Sequence, residues 1–142
     1  MNERRLNMFF QELKDLKTKY NIPEDTIEKL DTWLAYLRAN QRKYILPEFF
    51  AREYGIPHQV VRELFYYATN VGVLEINYEV HCPFCDDMAD LEIHDSKNIP
   101  NDKIQCECGK EYNPSLFHEK IIISFNLVKT PSKSDRIKYL KE

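Results

Sequence analysis

Cys82-Pro83-Phe84-Cys85 and Cys106-Glu107-Cys108-Gly109 contain all four cysteines of the 142-residue chain. The first pair is spaced Cys-x2-Cys and the second Cys-x-Cys, with 20 residues between the pairs. Two close pairs of thiolates on a short chain form the ligand pattern of a tetrahedral zinc site. The stretch therefore predicts one structural Zn²⁺ bound by Cys82, Cys85, Cys106 and Cys108. Four protein ligands leave no coordination position for a water, so we expect no catalytic role for this metal.

Each cysteine pair is expected to lie on a tight turn, here called a knuckle. Gly109 follows the second pair, where a positive φ lets backbone N–H groups point at the sulfurs. Asp86 occupies the matching position after the first pair. Residues 88–93 and 103–106 can form a hairpin that brings the knuckles together. Residues 81–128 are therefore interpreted as a four-cysteine zinc ribbon with a returning strand.

Two other interpretations of this region remain open. Cys82-Pro83-Phe84-Cys85 resembles the dithiol of glutaredoxins, which would make the chain a thiol–disulfide oxidoreductase acting through Cys82 and Cys85. That chemistry needs a helix N-terminus to lower a thiol pKa, whereas the acidic residues after Cys85 would raise it. Three histidines could also replace a cysteine as ligand, although solvent-facing positions are more typical of them: His81, His94 and His118.

The length of the chain indicates one compact domain or two small ones. No run of 18 apolar residues is present, and the first residues lack the apolar core of a signal peptide. We therefore expect no association with a membrane. Cysteines in zinc-type spacing fit a reducing compartment better than a secreted disulfide scaffold, so we expect a cytoplasmic protein.

The distribution of charge argues against a duplex-binding surface. The net charge is −3, residues 82–111 contain eight acidic and three basic side chains, and residues 129–142 contain five basic and two acidic ones. Residues 129–142 are interpreted as a basic C-terminal tail. No segment has the strongly basic stripe that dominates binding to duplex DNA.

Residues 1–22 are predicted to form an N-terminal amphipathic helix. Its apolar side chains recur three and four positions apart and form a narrow stripe: Leu6, Phe9, Leu13, Leu16 and Tyr20. The stripe fits a helix docked on the body of the protein. It also fits a protein interface at Leu6, Phe9, Leu13 and Leu16, formed with a partner or with a second copy in a homodimer.

Residues 23–80 follow the order helix, short strand, helix, Gly-containing turn, longer helix and strand. Tyr44-Ile45-Leu46 is the short strand, and Gly55 and Gly72 end the two later helices. Residues 74–80 alternate between apolar and polar side chains, as a strand does. The predicted fold is α+β, with N-terminal helices and this domain fused to a small antiparallel zinc ribbon.

This order of elements resembles a winged helix-turn-helix domain. The segments that carry the resemblance are Phe49-Phe50-Ala51, Gly55-Ile56-Pro57, Val60-Val61-Arg62-Glu63-Leu64 and Gly72-Val73-Leu74-Glu75. His81 alone separates the last strand from the first cysteine, so we expect the two modules to be joined without a flexible linker.

A winged helix followed directly by a four-cysteine ribbon resembles the general transcription factor E family of archaea and eukaryotes. The likeness lies in the order of modules across about residues 24–112. The family usually has Cys-x2-Cys where this chain has Cys106-Glu107-Cys108. In that family both modules work within the transcription initiation complex. Small proteins of this architecture also resemble accessory components of bacterial multi-protein systems, including phage-defence operons.

The second helix of the motif would enter the major groove if the domain bound DNA. Its outer face would then present His58, Gln59 and Arg62, with Arg42 and Lys43 near the phosphates. One arginine on that helix is a small positive charge for a duplex. Tyr66 on the same helix instead suits a protein interface, because aromatic side chains dominate binding energy.

No nucleophile–base pair, phosphate-binding loop or open metal site is recognisable in the sequence. The sequence therefore predicts a non-enzymatic regulatory or adaptor subunit that binds a protein partner in a multi-protein complex, transcriptional or phage-defence in nature. A sequence-specific DNA-binding transcriptional regulator is the alternative.

Overall fold

The structure, a computed structural model, describes residues 8–131. Leu6 and most of the basic tail lie outside the described residues. The described chain divides into two compact units, one comprising the residues up to Glu75 and from Phe125 onward, the other comprising Ile76–Ser124. Helices and two small sheets are both present, which confirms the α+β class. No helix between residues 8 and 131 combines the length and apolar character needed to cross a membrane.

The described part of the first unit contains four α-helices: α1 (Asp15–Tyr20), α2 (Glu24–Ala35), α3 (Pro47–Tyr54) and α4 (His58–Asn70). Glu24 and Asp25 lie in the first turn of α2, where negative charge favours the helix dipole. Gly55 ends α3 with φ +64°, a left-handed conformation that glycine adopts without strain. Helix α4 follows after Ile56 and Pro57, as the sequence predicted.

Within residues 8–22, the predicted N-terminal helix is replaced by a less regular segment in which α-helix begins only at Asp15. A 3₁₀ turn at Gln11–Lys14 leads into α1, and Asn21 ends α1 in the left-handed conformation. Phe9, Leu13 and Leu16 are at most 3% exposed. The expectation of an interface or homodimer at these three positions is therefore corrected, because the chain itself covers them and they belong to its core.

Asp31 ties the start of this segment to α2. The side chain is only 4% exposed, and its carboxylate accepts hydrogen bonds from the backbone N–H groups of Phe9 (3.0 Å) and Phe10 (2.8 Å). Tyr20 at the other end stacks on Tyr67 of α4, with ring centroids 3.9 Å apart and planes at 5°. The segment is thus fixed to the body of the first unit at both ends.

Aromatic side chains fill the centre of the first unit. Phe65 contacts Phe125 edge-on at 5.3 Å between centroids and lies 6.0 Å from Phe50. All three are fully buried. Apolar side chains from the surrounding helices complete this core: Leu13, Leu16, Leu30, Leu34, Val61, Leu64 and Ala68.

Strand β1 (Leu74–Val80) pairs with the last described strand, β4 (Ile121–Leu127). Asn126 donates to Glu75 at 3.4 Å and Asn77 donates to Ser124 at 3.5 Å, so the two strands run antiparallel. Phe125 exchanges both of its backbone hydrogen bonds with Ile45, at 2.7 and 2.9 Å. The predicted strand at residues 44–46 is thus a single bridge, and β4 lies between that bridge and β1.

The second unit contains a short hairpin of β2 (Ile104–Gln105) and β3 (Glu111–Tyr112), with Ile104 opposite Tyr112. Met88 instead forms a bridge with His81. The predicted hairpin between residues 88–93 and 103–106 is therefore wrong, because each stretch pairs with the other side of its own knuckle. The core of this unit comprises Val80, Cys82, Ile93 and Tyr112.

Candidate metal centre

The first knuckle closes directly after β1. The backbone N–H of Cys82 donates to the carbonyl of Asp87 at 2.9 Å, and the N–H of Asp86 donates to the carbonyl of Cys82 at 2.8 Å. Asp86 has φ +70°, and the N–H of Phe84 lies 3.4 Å from the Cys82 sulfur. Two crossing hydrogen bonds and a left-handed residue therefore shape the turn that carries Cys82 and Cys85.

The second knuckle lies at the tip of the β2–β3 hairpin and repeats this arrangement with one residue fewer. The N–H of Cys106 donates to the carbonyl of Lys110 at 2.9 Å, and the N–H of Gly109 donates to the carbonyl of Cys106 at 3.0 Å. Gly109 has φ +94°, which confirms the predicted positive φ. The shorter Cys-x-Cys spacing moves both closing hydrogen bonds by one position, and the left-handed residue still follows the second cysteine.

The two knuckles bring the four cysteine sulfurs together. All four lie within 4.8 Å of one another, with 3.4 Å between Cys85 and Cys106 and 3.9 Å between Cys82 and Cys108. Sulfurs about 2.3 Å from a tetrahedral Zn²⁺ are roughly 3.8 Å apart, which is close to these separations. All four cysteines are free of disulfides. The prediction of a four-cysteine cluster able to hold one metal ion is confirmed.

The chemistry of this donor set fits a cation. Burial raises the pKa of Cys82, but hydrogen bonds from the backbone N–H groups of Cys85 and Phe84 and from neighbouring thiols outweigh it and lower the pKa to about 7. The N–H of Asp87 lowers the pKa of Cys85, yet the neighbouring thiols, Cys106 first, and burial raise it to about 12. Deprotonation of one thiol thus disfavours deprotonation of the next. A divalent cation at the centre would stabilise all four as thiolates.

The histidines near the cluster contact other groups. His81 Nδ1 lies 3.1 Å from the carbonyl of Asp86, and His94 Nδ1 lies 3.0 Å from the carbonyl of Ile76. His118 is exposed. Within residues 8–131, the metal-ligand cluster is formed by cysteines alone. The residues after Cys85 contain no α-helix before the 3₁₀ turn at Ser96–Asn98, so the helix N-terminus used by dithiol oxidoreductases is missing there.

An open groove of about 550 Å³ adjoins the metal centre and includes Cys106 in its lining. Three exposed acidic side chains line it, Asp87, Asp90 and Glu107, with no basic residue among its lining residues. Met88 and Leu91 also line it and are exposed. We call this the acidic groove. This groove was not predicted from the sequence, although apolar and acidic residues alternate after Cys85.

The expected nucleic-acid-binding residues lie in two places in the first unit. His58, Gln59 and Arg62 are exposed on the first two turns of α4. Lys43 is exposed between α2 and α3, whereas Arg42 is half-buried and its Nε donates to the carbonyl of Leu37 at 3.3 Å. Part of the Arg42 side chain is thus engaged within the chain, and among the described residues no hydrogen bond or ion pair joins the two groups.

Comparison with known proteins gives no relative. The chain matches no family model, no curated protein and no solved structure.

Tyr66, expected at a protein interface, is 37% exposed, and its ring meets Phe125 edge-on at 5.8 Å. Its inner edge is therefore part of the core packing, while its outer edge faces solvent.

Proposed function

We propose that this chain is a non-enzymatic binding subunit in which a structural Zn²⁺ shapes a docking groove for a partner protein. The observation that carries the proposal is the acidic groove, built directly on the second knuckle. Cys106 belongs both to the four-sulfur cluster and to the lining of that groove. A metal held there by four thiolates would fix the groove and leave no open position for catalysis.

We further propose a winged-helix assignment for the first unit. It is supported by the order α2, bridge at Ile45, α3, α4, β1 and β4, and by the position of β4 between the Ile45 bridge and β1. In chain order, the two cysteine knuckles then come where a wing would, between the paired strands β1 and β4. A relation to the transcription factor E family, in transcription or in another multi-protein system, is part of this proposal.

The partner that fits the acidic groove is a basic segment with some apolar side chains. Asp87, Asp90 and Glu107 supply negative charge, while Met88 and Leu91 supply exposed apolar surface. Complementary charge selects the partner and speeds encounter, and buried apolar contacts hold it. The DNA-binding alternative is supported by exposed His58, Gln59 and Arg62, but it relies on few cations.

The metal proposal is tested by mass spectrometry of the purified protein under native conditions. We expect one bound zinc, which is lost in the Cys106→Ser variant. A protein without metal that carries a disulfide between Cys82 and Cys85 would reject a structural zinc. Catalysis of thiol–disulfide exchange by that form would favour the oxidoreductase.

The docking proposal is tested with a labelled peptide in which lysines and leucines alternate, added to the zinc-loaded protein. The Asp90→Asn/Glu107→Gln variant should bind it about tenfold more weakly, because each exposed ion pair contributes up to about 1 kcal/mol. Glu92→Gln/Asp102→Asn removes the same charge from residues that do not line the groove, and should change affinity much less. Equal losses of affinity in both variants would show that only the net charge matters, and would reject the groove as the binding site.

Binding of duplex DNA, measured over a series of salt concentrations, distinguishes the DNA-binding alternative from the docking proposal. Binding that falls steeply with salt, and that Arg62→Ala weakens, would identify a DNA-binding regulator instead. We expect no such binding at physiological salt.

A further inference from the structure

A second groove, in the first unit, is lined mainly by aromatic side chains. It has a volume of about 650 Å³ and lies between the end of α2, the segment before α3 and α3 itself. Its aromatic lining comprises Trp33, Tyr36, Tyr44, Phe49 and Tyr54. Three of these are well exposed, Tyr36 at 41%, Tyr44 at 50% and Phe49 at 53%. We call this the aromatic groove.

Contacts beneath or beside three rings of the aromatic groove, those of Trp33, Tyr54 and Phe49, help to hold them in place. Trp33 meets buried Phe50 edge-on at 5.3 Å between centroids, and Tyr54 lies 4.9 Å from the same ring. The guanidinium of Arg52 lies 5.2 Å from the centroid of Phe49. Rings that are already positioned lose little freedom when a ligand binds, which favours affinity.

Tyr44 occupies an unusual backbone conformation at the edge of this groove. Its φ is +56°, in the left-handed region that a bulky side chain rarely adopts. Its backbone N–H donates to Asn126 Oδ1 at 3.1 Å, which helps to hold that conformation. The strained backbone displays an exposed ring instead of burying it, and such strain is concentrated at binding sites.

The charges of the aromatic groove indicate an uncharged ligand. The lining residues carry one positive charge, on Lys43, and one negative charge, on Glu53, while Arg52 and Lys29 are already engaged with the rings of Phe49 and Tyr54. A single-stranded nucleic acid would stack on the rings, but its phosphates need a positive channel along the strand. An uncharged chain makes the same ring contacts without that requirement.

The hydrogen-bond donors of the groove further restrict the class of ligand that it can bind. Within residues 8–131, no protein group makes a hydrogen bond with the indole N–H of Trp33 or with the hydroxyls of Tyr36, Tyr44 and Tyr54. A polyproline II segment has no internal hydrogen bonds, so its carbonyls are free to accept from such donors. Its rigid prolines pack against aromatic rings with a small loss of conformational entropy.

We propose that the aromatic groove binds a proline-rich segment of a partner protein in the polyproline II conformation. This site goes beyond the acidic groove, lies in the other unit and takes a ligand of different chemistry. Tyr44 and Phe49 form the exposed walls, and Trp33 forms the anchored ring against which a proline packs.

Trp33 is the single tryptophan of the chain, so its fluorescence reports on this groove directly. The experiment titrates the full-length, zinc-loaded protein with decaproline and, separately, with a glycine–serine peptide of equal length. We expect a saturable change in Trp33 emission with decaproline alone. Phe49→Ala and Tyr44→Gly should each weaken binding roughly tenfold, as loss of an aromatic anchor does at interfaces.

Val60→Ala is the matched control, since Val60 is also exposed and apolar but does not line the groove. It should bind decaproline as the parent protein does. No response to decaproline, or equal weakening by all three variants, overturns the proposal. Binding of oligo-thymidine instead of decaproline would assign the groove to single-stranded nucleic acid. The Asp90→Asn/Glu107→Gln variant should bind decaproline normally, so failure of one groove is distinguishable from failure of the other.

Discussion

At the scale of single residues, Tyr44 lowers the stability of the fold through its backbone, while its side chain is proposed to bind a ligand. A non-glycine residue in the left-handed region costs about 1–2 kcal/mol relative to its usual conformations. The Tyr44 backbone bears this strain while half of the side chain remains exposed. Because the ring is only partly buried, its burial does not fully offset the free-energy cost of the strained backbone.

Tyr44→Gly should be more stable than Tyr44→Ala by about 1 kcal/mol, even though both variants lack the ring. Glycine relieves the backbone strain and alanine keeps it, while the N–H bond to Asn126 survives in both. Urea unfolding of the two proteins measures the difference. Equal stabilities would mean that the backbone at residue 44 is not strained in solution.

Asp31 is the second residue with a large expected effect. Asp31→Ala should lower the free energy of unfolding by about 3 kcal/mol, because it leaves two backbone N–H groups without their acceptor in the core. Asp25→Ala on the same helix is the control. Asp25 makes an exposed i,i+4 pair with Lys29 at 3.0 Å and lies in the first turn of α2, so its loss should cost about 1 kcal/mol or less. Comparable losses in the two variants would show that the Asp31 bonds contribute little.

Residues differ in how far a sequence reveals their role. The cysteines and Gly109 were predictable because their spacing is local and their chemistry is restricted. Asp31 was not, since its partners lie 21 and 22 positions away and depend on how the N-terminal segment packs. Tyr44 was not either, because nothing in a tyrosine's identity indicates a left-handed backbone.

At the scale of elements, the two knuckles are the same turn at two lengths. Each uses a hydrogen bond from its first cysteine to the residue that closes the turn, and each places a left-handed residue after its second cysteine. That residue is Gly109 in one and Asp86 in the other. Asp tolerates positive φ less readily than glycine, so the first knuckle is the more strained.

Exchange of residue type at these matched positions should have opposite effects. Gly109→Ala should weaken zinc binding about tenfold, since the substitution adds about 1 kcal/mol or more of backbone strain and no steric contact within 4 Å of the new methyl group. Asp86→Gly should leave zinc affinity unchanged or raise it, although it removes an exposed ion pair with Lys120 at 3.0 Å. Competition with a zinc-binding dye measures both. A loss of affinity in Asp86→Gly equal to that in Gly109→Ala would contradict the equivalence of the two turns.

Elements were predictable where the signal is local. Gly55 ends α3 as expected, and the alternation in residues 74–80 corresponds to β1. The partners of strands were harder to predict. The hairpin across residues 88–106 was plausible from length alone, but the closing bonds of each knuckle already commit Met88 to His81 and Ile104 to Tyr112.

At the scale of the whole molecule, the segment that carries both cysteine knuckles lies in the chain between two paired strands. The first residues of β1 and the last residues of β4 belong to the first unit, and the remainder of both strands belongs to the second. The sequence indicated a ribbon that follows a complete domain. Strand pairing between residues 75 and 126 depends on tertiary structure, so the insertion could not be read from local pattern.

Loss of the metal should therefore have effects beyond the knuckles. The Cys106→Ser variant retains three thiols of the cluster and the chelated protein retains four, in both cases without a metal to hold them together. The small core of Val80, Cys82, Ile93 and Tyr112 then loses its main restraint. We expect amide hydrogen exchange to accelerate throughout Ile76–Ser124 and to extend along β1 and β4 to Leu74 and Leu127. Helices α2, α3 and α4 should keep their protection, because they have a buried aromatic core of their own. Restoring zinc to the chelated wild-type protein should reverse the change. Acceleration confined to residues 82–112, with both strands fully protected, would show that the strands do not depend on the metal and that the knuckles unfold independently of them.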